Sequence, residues 1–120
     1  MQTEFKATYS DVYDEQNLST NYVACSELDQ EYPELGDIPG FPFIGAAPNN
    51  YYDSPTCGAC WKITNVGNGR WIYFTSIDDS DPYEFVLSQN AFNELGGDKK
   101  VGNLQAAVEL APGHCGKYSK

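Results

Sequence analysis

Asp53-Ser54-Pro55-Thr56-Cys57-Gly58-Ala59-Cys60-Trp61 holds two of the four cysteines, a carboxylate able to cap a turn, a proline, a glycine and a large aromatic side chain. Two residues between cysteines is a spacing shared by zinc ribbons, thioredoxin-like redox sites and structural disulfides. The other cysteines, Cys25 and Cys115, lie well upstream and near the end, so this segment ties both ends of the sequence to its middle. A zinc site wants its four ligands as two close pairs, and neither Cys25 nor Cys115 has a cysteine neighbour. His114 beside Cys115 offers a nitrogen, but ligands adjacent in sequence suit a tetrahedral site poorly. An even number of cysteines fits two disulfides in an oxidising compartment, with no metal and no cofactor expected.

The 120 residues make one domain, long enough to bury a core. A hydrophobic fraction of 41%, with 9 Tyr, 6 Phe and 2 Trp, belongs to a folded globule. The formal charge of -10 excludes nucleic acid as a natural partner, because binding there depends on cations meeting phosphates. Anionic membrane surfaces are disfavoured for the same reason, whereas a neutral polysaccharide is not penalised. No stretch approaches the ~20 apolar residues of a membrane-spanning helix. The polar start Met1-Gln2-Thr3-Glu4 reads as that of a mature chain and not as a leader. Asn17-Leu18-Ser19 is an N-glycosylation sequon, which marks Asn17 as a candidate for modification.

Phe5, Ala7 and Tyr9 alternate with polar neighbours and predict a half-buried strand. Tyr22-Val23-Ala24-Cys25 begins a second ordered segment. Between Tyr32 and Pro42, three prolines and two glycines in eleven residues forbid a long helix or a central strand. We expect an ordered loop there, wrapped with its aromatics inward. Trp61-Lys62-Ile63-Thr64 and Trp71-Ile72-Tyr73-Phe74-Thr75-Ser76-Ile77 read as strands, with Asn68-Gly69 turning the chain between them. Phe85-Val86-Leu87 is a short strand. Ser88 then caps a helix through Leu95, ended by Gly96-Gly97. Leu104, Ala106, Val108 and Leu110 alternate to give the last strand. About six short strands and one helix predict a mainly-β domain, closed into a barrel so that no strand edge is left bare.

With these segments in place, the sequence resembles the cerato-platanin family of small secreted fungal proteins. The resemblance rests on Val23-Ala24-Cys25-Ser26, on Tyr32-Pro33 with Leu35-Gly36 and Pro39-Gly40-Phe41-Pro42, and above all on Asp53-Ser54-Pro55 with Cys57-Gly58 and Cys60-Trp61-Lys62. Ile77-Asp78, Ala91-Phe92 and Cys115 complete the ordered set. It implies a six-stranded double-psi β-barrel like that of expansins, and disulfides Cys25–Cys57 and Cys60–Cys115, where sequence alone allows three pairings. It also implies a secreted monomer of the fungal wall that binds chitin oligomers, loosens cellulose without clear hydrolysis, and provokes plant defence, with a plant immune receptor as a second partner.

The candidate carbohydrate site is Tyr9, Tyr52, Asp53, Asp78 and Tyr83. Tyrosines supply a flat apolar face with a polar rim for a sugar ring. Asp78, at the end of an apolar strand, is similar to the aspartate that expansin-like barrels place in their groove, and it leads the set. Asp78→Ala is then expected to weaken binding and leave the fold intact. Asp53 reads first as a turn cap, Trp61 as packing on the disulfide beside it, and Tyr73 and Phe74 as core. Some relatives carry a sugar-linked asparagine where this chain has Val86, and Asp79-Ser80-Asp81-Pro82-Tyr83-Glu84 replaces their glycine-rich connection. This acidic loop lacks the glycine and regular spacing of a calcium loop.

Three functions compete. A non-catalytic wall-polysaccharide binder needs only the groove. A glycoside hydrolase needs a second carboxylate within about 5–10 Å of Asp78, and no acid/base pair is evident. His114, the only histidine, has no partners for a nucleophilic triad. An extracellular elicitor needs a surface and no groove chemistry.

Overall fold

The computed structural model describes residues 2–116, with side chains from Phe5 onward; Met1 and residues 117–120 lie outside it. Six strands close into a barrel: β1 (Gln2–Tyr9), β2 (Ile44–Pro48), β3 (Cys60–Asn65), β4 (Trp71–Ser80), β5 (Glu84–Leu87) and β6 (Leu104–Leu110). Around the ring they run β1-β5-β2-β4-β3-β6. Two of the pairings, β1 with β5 and β2 with β4, are parallel, and the arrangement is that of a double-psi barrel. The one α-helix among the described residues, α1 (Gln89–Glu94), has the expected cap: Ser88 Oγ accepts from the Ala91 N–H at 3.1 Å. Gly96 follows at φ 76°, the left-handed position that ends helices without a steric penalty.

Sequence reading located β1 and β6 by their alternation, and β3, β4 and β5 as short apolar strands. The strand it missed is β2, Ile44-Gly45-Ala46-Ala47-Pro48. Tyr22-Val23-Ala24-Cys25, by contrast, is no strand; a 3-10 turn over Thr20–Tyr22 leads into it. Its order comes from β4: the Cys25 N–H donates to the Ile77 carbonyl at 3.1 Å. The strand β2 has no free side. It lies between β4 and β5, and its first four residues are buried. Gly45 is required here, since a Cβ would sit 2.3 Å from the Val86 carbonyl oxygen.

The two larger apolar cores lie one on each side of the barrel wall. The barrel interior holds Ile63, Ile72, Phe74, Phe85 and Leu87, with Leu95 of the α1 cap. The second core lies outside, where Tyr13, Val23, Leu35 and Ile38 pack on Ile44, Ala46 and Ile77. The proline-rich segment is the ordered wrap expected, and it covers this second core. Thr75 Oγ1 donates to the Pro39 carbonyl at 2.7 Å and Ser88 Oγ donates to the Pro42 carbonyl, pinning the C-terminal end of the loop, while Thr20 Oγ1 donates to the Tyr32 carbonyl at its start. Phe41-Pro42 is a cis peptide. Val86 packs against this outer core.

The disulfides are Cys25–Cys57 and Cys60–Cys115, the pairing that the resemblance implied. Cys57 and Cys60 therefore bond in opposite directions, one to the loops outside the wall and the other to the end of the chain. Tyr73, read as core beside Phe74, is half-buried on the outer face, where it packs on the Cys60–Cys115 cluster and stacks on His114 at 4.8 Å between ring centroids. That is the disulfide-packing role expected of Trp61. Strand alternation explains the exchange: Phe74 points into the barrel, so Tyr73 must point out.

Candidate functional site

Asp78 sits where β4 leaves the outer core. Its Oδ2 accepts from the Tyr13 hydroxyl at 2.7 Å, and its Oδ1 accepts from the backbone N–H groups of Ala24 (2.8 Å) and Asp79 (2.9 Å). Three donors from three segments converge on one carboxylate. Asp78 therefore holds the Ala24 segment and the turn after β1 against the barrel, which sequence reasoning did not foresee. Burial pushes the Tyr13 phenol well above its ordinary range, with the hydrogen bond to Asp78 and the Asp78 charge adding to the effect.

The loop that carries Tyr51, Tyr52 and Asp53 is locked to the same strand end by Asn50. This asparagine is fully buried. Its backbone N–H donates to Asp79 Oδ1 at 3.1 Å and its side-chain amide donates to the Asp78 carbonyl at 3.2 Å. Its Oδ1 accepts from the hydroxyls of Ser54 (2.9 Å) and Thr56 (2.8 Å). Asn50 is thus the hub of the site. The only sequence signal for it was an asparagine pair between a strand and the cysteine segment.

Tyr52 is 64% exposed beside this hub. Asp53 does not cap the turn with its carboxylate: the residue stands at φ 61°, and its backbone N–H donates to Glu27 Oε2 at 2.8 Å. The other Glu27 oxygen is buried without a hydrogen-bond partner. One Glu27 oxygen and the sulfurs of Cys25 and Cys57 lie within 4.8 Å of one another, but the sulfurs are joined in a disulfide and offer no thiolate to a metal.

Of the five expected residues, Asp78 is bonded directly by Asn50, and Tyr52 and Asp53 stand on the loop that Asn50 anchors. Tyr9 is half-buried at the end of β1 and packs on Phe92 of α1, ring centroids 5.0 Å apart. Tyr83 is exposed at the rim of a different concavity, of about 350 Å³, floored by Phe5, Trp61 and Phe85. This pocket lies past Asn49, the residue before the hub. It was not expected from sequence, because its walls come from four separate segments.

The family model described as Cerato-platanin matches residues 5–117. Cerato-platanin of Ceratocystis fimbriata f. sp. platani is 40% identical over 93 residues, covering 73% of this chain and 68% of that protein. The solution structure of the fungal elicitor cerato-platanin superposes with a TM-score of 0.78 at 34% identity, covering 88% of this chain and 91% of the other. A mutant expansin of Clavibacter michiganensis in complex with cellohexaose shares the fold, with a TM-score of 0.69 at 18% identity. That match covers 97% of this chain but 53% of the expansin. The barrel, the paired disulfides and the match over almost the whole sequence lead to one conclusion: this chain belongs to the cerato-platanin family.

Proposed function

We propose that this protein is secreted by a fungus and binds cell-wall polysaccharide, chitin oligomers or glucan, without cleaving it. The contact surface is the Asp78–Asp79 strand end together with Tyr52 and Asp53. The observation that carries the reading is the Asn50 hub, which bonds to Asp78 and Asp79 and anchors the loop that bears the exposed Tyr52. A flat ring for stacking beside carboxylate acceptors for hydroxyls is what a neutral glycan needs. The expansin relative in fold, with cellohexaose bound, supports the same class of ligand. The non-hydrolytic part rests on Asp78: a general acid must present a proton to the glycosidic oxygen, and both Asp78 oxygens already accept bonds that hold the fold.

A ¹H–¹⁵N NMR titration with chitin and β-glucan oligomers tests this. Shifts on Tyr52, Asp53, Asp78 and Asp79 are the expected result, with no new reducing ends after long incubation. A flat titration on folded protein refutes the site, and released reducing ends refute the non-catalytic reading.

A second reading is favoured by Tyr22 and Tyr51, which are 74% and 60% exposed on the two loops joined by Cys25–Cys57. Such rigid, exposed aromatics suit recognition by a plant immune receptor, and the relative named a fungal elicitor supports it. Leaf-cell death that persists after the Tyr52 and Asp78 surface is mutated would assign elicitation to these loops.

A further inference from the structure

We propose that the pocket floored by Phe5, Trp61 and Phe85 is a binding site for a neutral aromatic molecule of one or two rings, distinct from the polysaccharide surface. Phe5 and Trp61 both meet Phe85 edge to face, with ring centroids 5.1 and 5.3 Å away. The side walls are two prolines, Asn49 and Tyr83. Its volume of about 350 Å³ is in the range of small-molecule sites, where apolar walls carry a few polar groups.

Charge and hydrogen bonding select the ligand. None of the lining side chains is charged, although the whole chain carries -10. An anion would meet both that field and an apolar floor, so a neutral guest is favoured. The indole N–H of Trp61 is already committed to Ser76 Oγ at 2.9 Å. Among the described residues, the Asn49 amide and the Tyr83 hydroxyl have no hydrogen-bond partner and remain for a ligand. Two polar groups suffice for a phenol. A pyranose, with several hydroxyls to satisfy on an apolar floor, would leave some of them dry.

Backbone conformation is the second, independent pointer. Only three described residues other than glycine have positive φ, and two of them, Asn49 (58°) and Tyr83 (63°), form this rim. Asparagine tolerates the left-handed region, but tyrosine does so at a cost. Residues held this way cluster where a ligand is clamped. The Tyr83 turn is firmly tied: the Lys6 N–H donates to the Tyr83 carbonyl at 2.9 Å, and Ser80 Oγ donates to the Glu84 carbonyl at 2.5 Å. The strain sets the Tyr83 ring 6.1 Å from Phe5, above the mouth of the pocket.

The test is an NMR titration with 2-naphthol, and with 2-naphthoate and cellohexaose as comparisons. The expected result is saturable shifts at Phe5, Asn49, the Trp61 indole and Phe85, with a Kd near or below about 1 mM. The carboxylate should bind at least about tenfold more weakly. Tyr83→Gly keeps the positive φ without strain, so the fold is retained while the ring over the mouth is lost; affinity for 2-naphthol should fall by about fivefold or more. Asn49→Ala should reduce the advantage of 2-naphthol over naphthalene, with the Tyr83 hydroxyl left as the one polar partner. A flat titration, equal binding of the carboxylate, unchanged affinity in folded Tyr83→Gly, or cellohexaose in place of 2-naphthol on Trp61 would each overturn the assignment. Because the shifts expected for polysaccharide fall on Tyr52 and Asp78, either site can fail without the other.

Discussion

The Tyr13 hydroxyl donates to Asp78 Oδ2 at 2.7 Å and so ties the turn after β1 to the end of β4 across 65 residues of sequence. The aspartate that leads the candidate site is also a structural acceptor. Its removal cannot be read as loss of a ligand contact alone.

Asp78→Ala should therefore cost about 1–3 kcal/mol, since the Ala24 N–H and the Tyr13 hydroxyl lose their acceptor. This departs from the intact fold expected from sequence. Asp78→Asn keeps an acceptor oxygen and should cost less. Urea unfolding of the two variants measures the difference, and equal stability of Asp78→Ala and the parent would refute the structural role.

The same bond predicts alkaline sensitivity. The Tyr13 phenol is raised in the folded state, chiefly by burial, while in the unfolded chain it titrates near its ordinary pKa of about 10. Its contribution is complete below about pH 10 and is lost as pH rises further, because only the unfolded chain releases the proton. The Tm should fall above pH 10, and less steeply in Tyr13→Phe. Parallel slopes in the two proteins would exclude Tyr13 as the source.

Asn50→Ala removes an acceptor shared by Ser54 and Thr56 and a donor to Asp78. We expect a loss of at least about 2 kcal/mol, since several buried polar groups are orphaned together. Faster amide exchange should be confined first to residues 51–57. Exchange unchanged in that loop would mean that Cys25–Cys57 alone holds it.

Gly45→Ala places a methyl against the Val86 carbonyl between two paired strands. The cost should exceed about 3 kcal/mol, at the upper end of overpacking. Gly69→Ala meets no atom within 4 Å but stands at φ 78°, so only the left-handed penalty of about 1–2 kcal/mol applies. Thermal melts of the pair separate steric collision from backbone strain.

Asn17 and Ser19 are exposed, with Asn17 in a turn and Leu18 between them packed on the outer core. We expect a glycan there when a eukaryotic secretory host makes the protein. Intact mass should drop to that of the bare chain in Asn17→Gln.

How far the fold could be read from sequence depended on which faces are wet. Strands β1 and β6 alternate apolar with polar residues, β3 and β4 are marked by β-branched and aromatic residues, and α1 carried its own cap. The strand β2 is covered on both sides, and its close approach to β5 calls for Gly45, Ala46 and Ala47, residues of low strand propensity. The disulfide pairing became readable only through the family resemblance. Trp61 was misplaced because nearness in sequence to Cys60 says nothing about which face of β3 it occupies. The Asn50 hub and the aromatic pocket were hidden for another reason: each is assembled from distant segments, and no local pattern marks a residue by the partners it meets after folding.

The order of strands around the barrel has a consequence for synthesis. β1 precedes the other five strands in the chain, yet its neighbours β5 and β6 are the last two of the six. The ring cannot close until β6 has been made. Cys25 and Cys57 both emerge in the first half of the chain, whereas Cys60 must wait for Cys115. At about 5–20 residues per second, that wait lasts several seconds. During it, Cys60 is a lone thiol three residues from an already oxidised cysteine. Attack of the Cys60 thiolate on the Cys25–Cys57 bond would give Cys57–Cys60 with Cys25 released as thiolate, or Cys25–Cys60 with Cys57 released, the error that a disulfide isomerase would have to undo before β6 can seal the barrel.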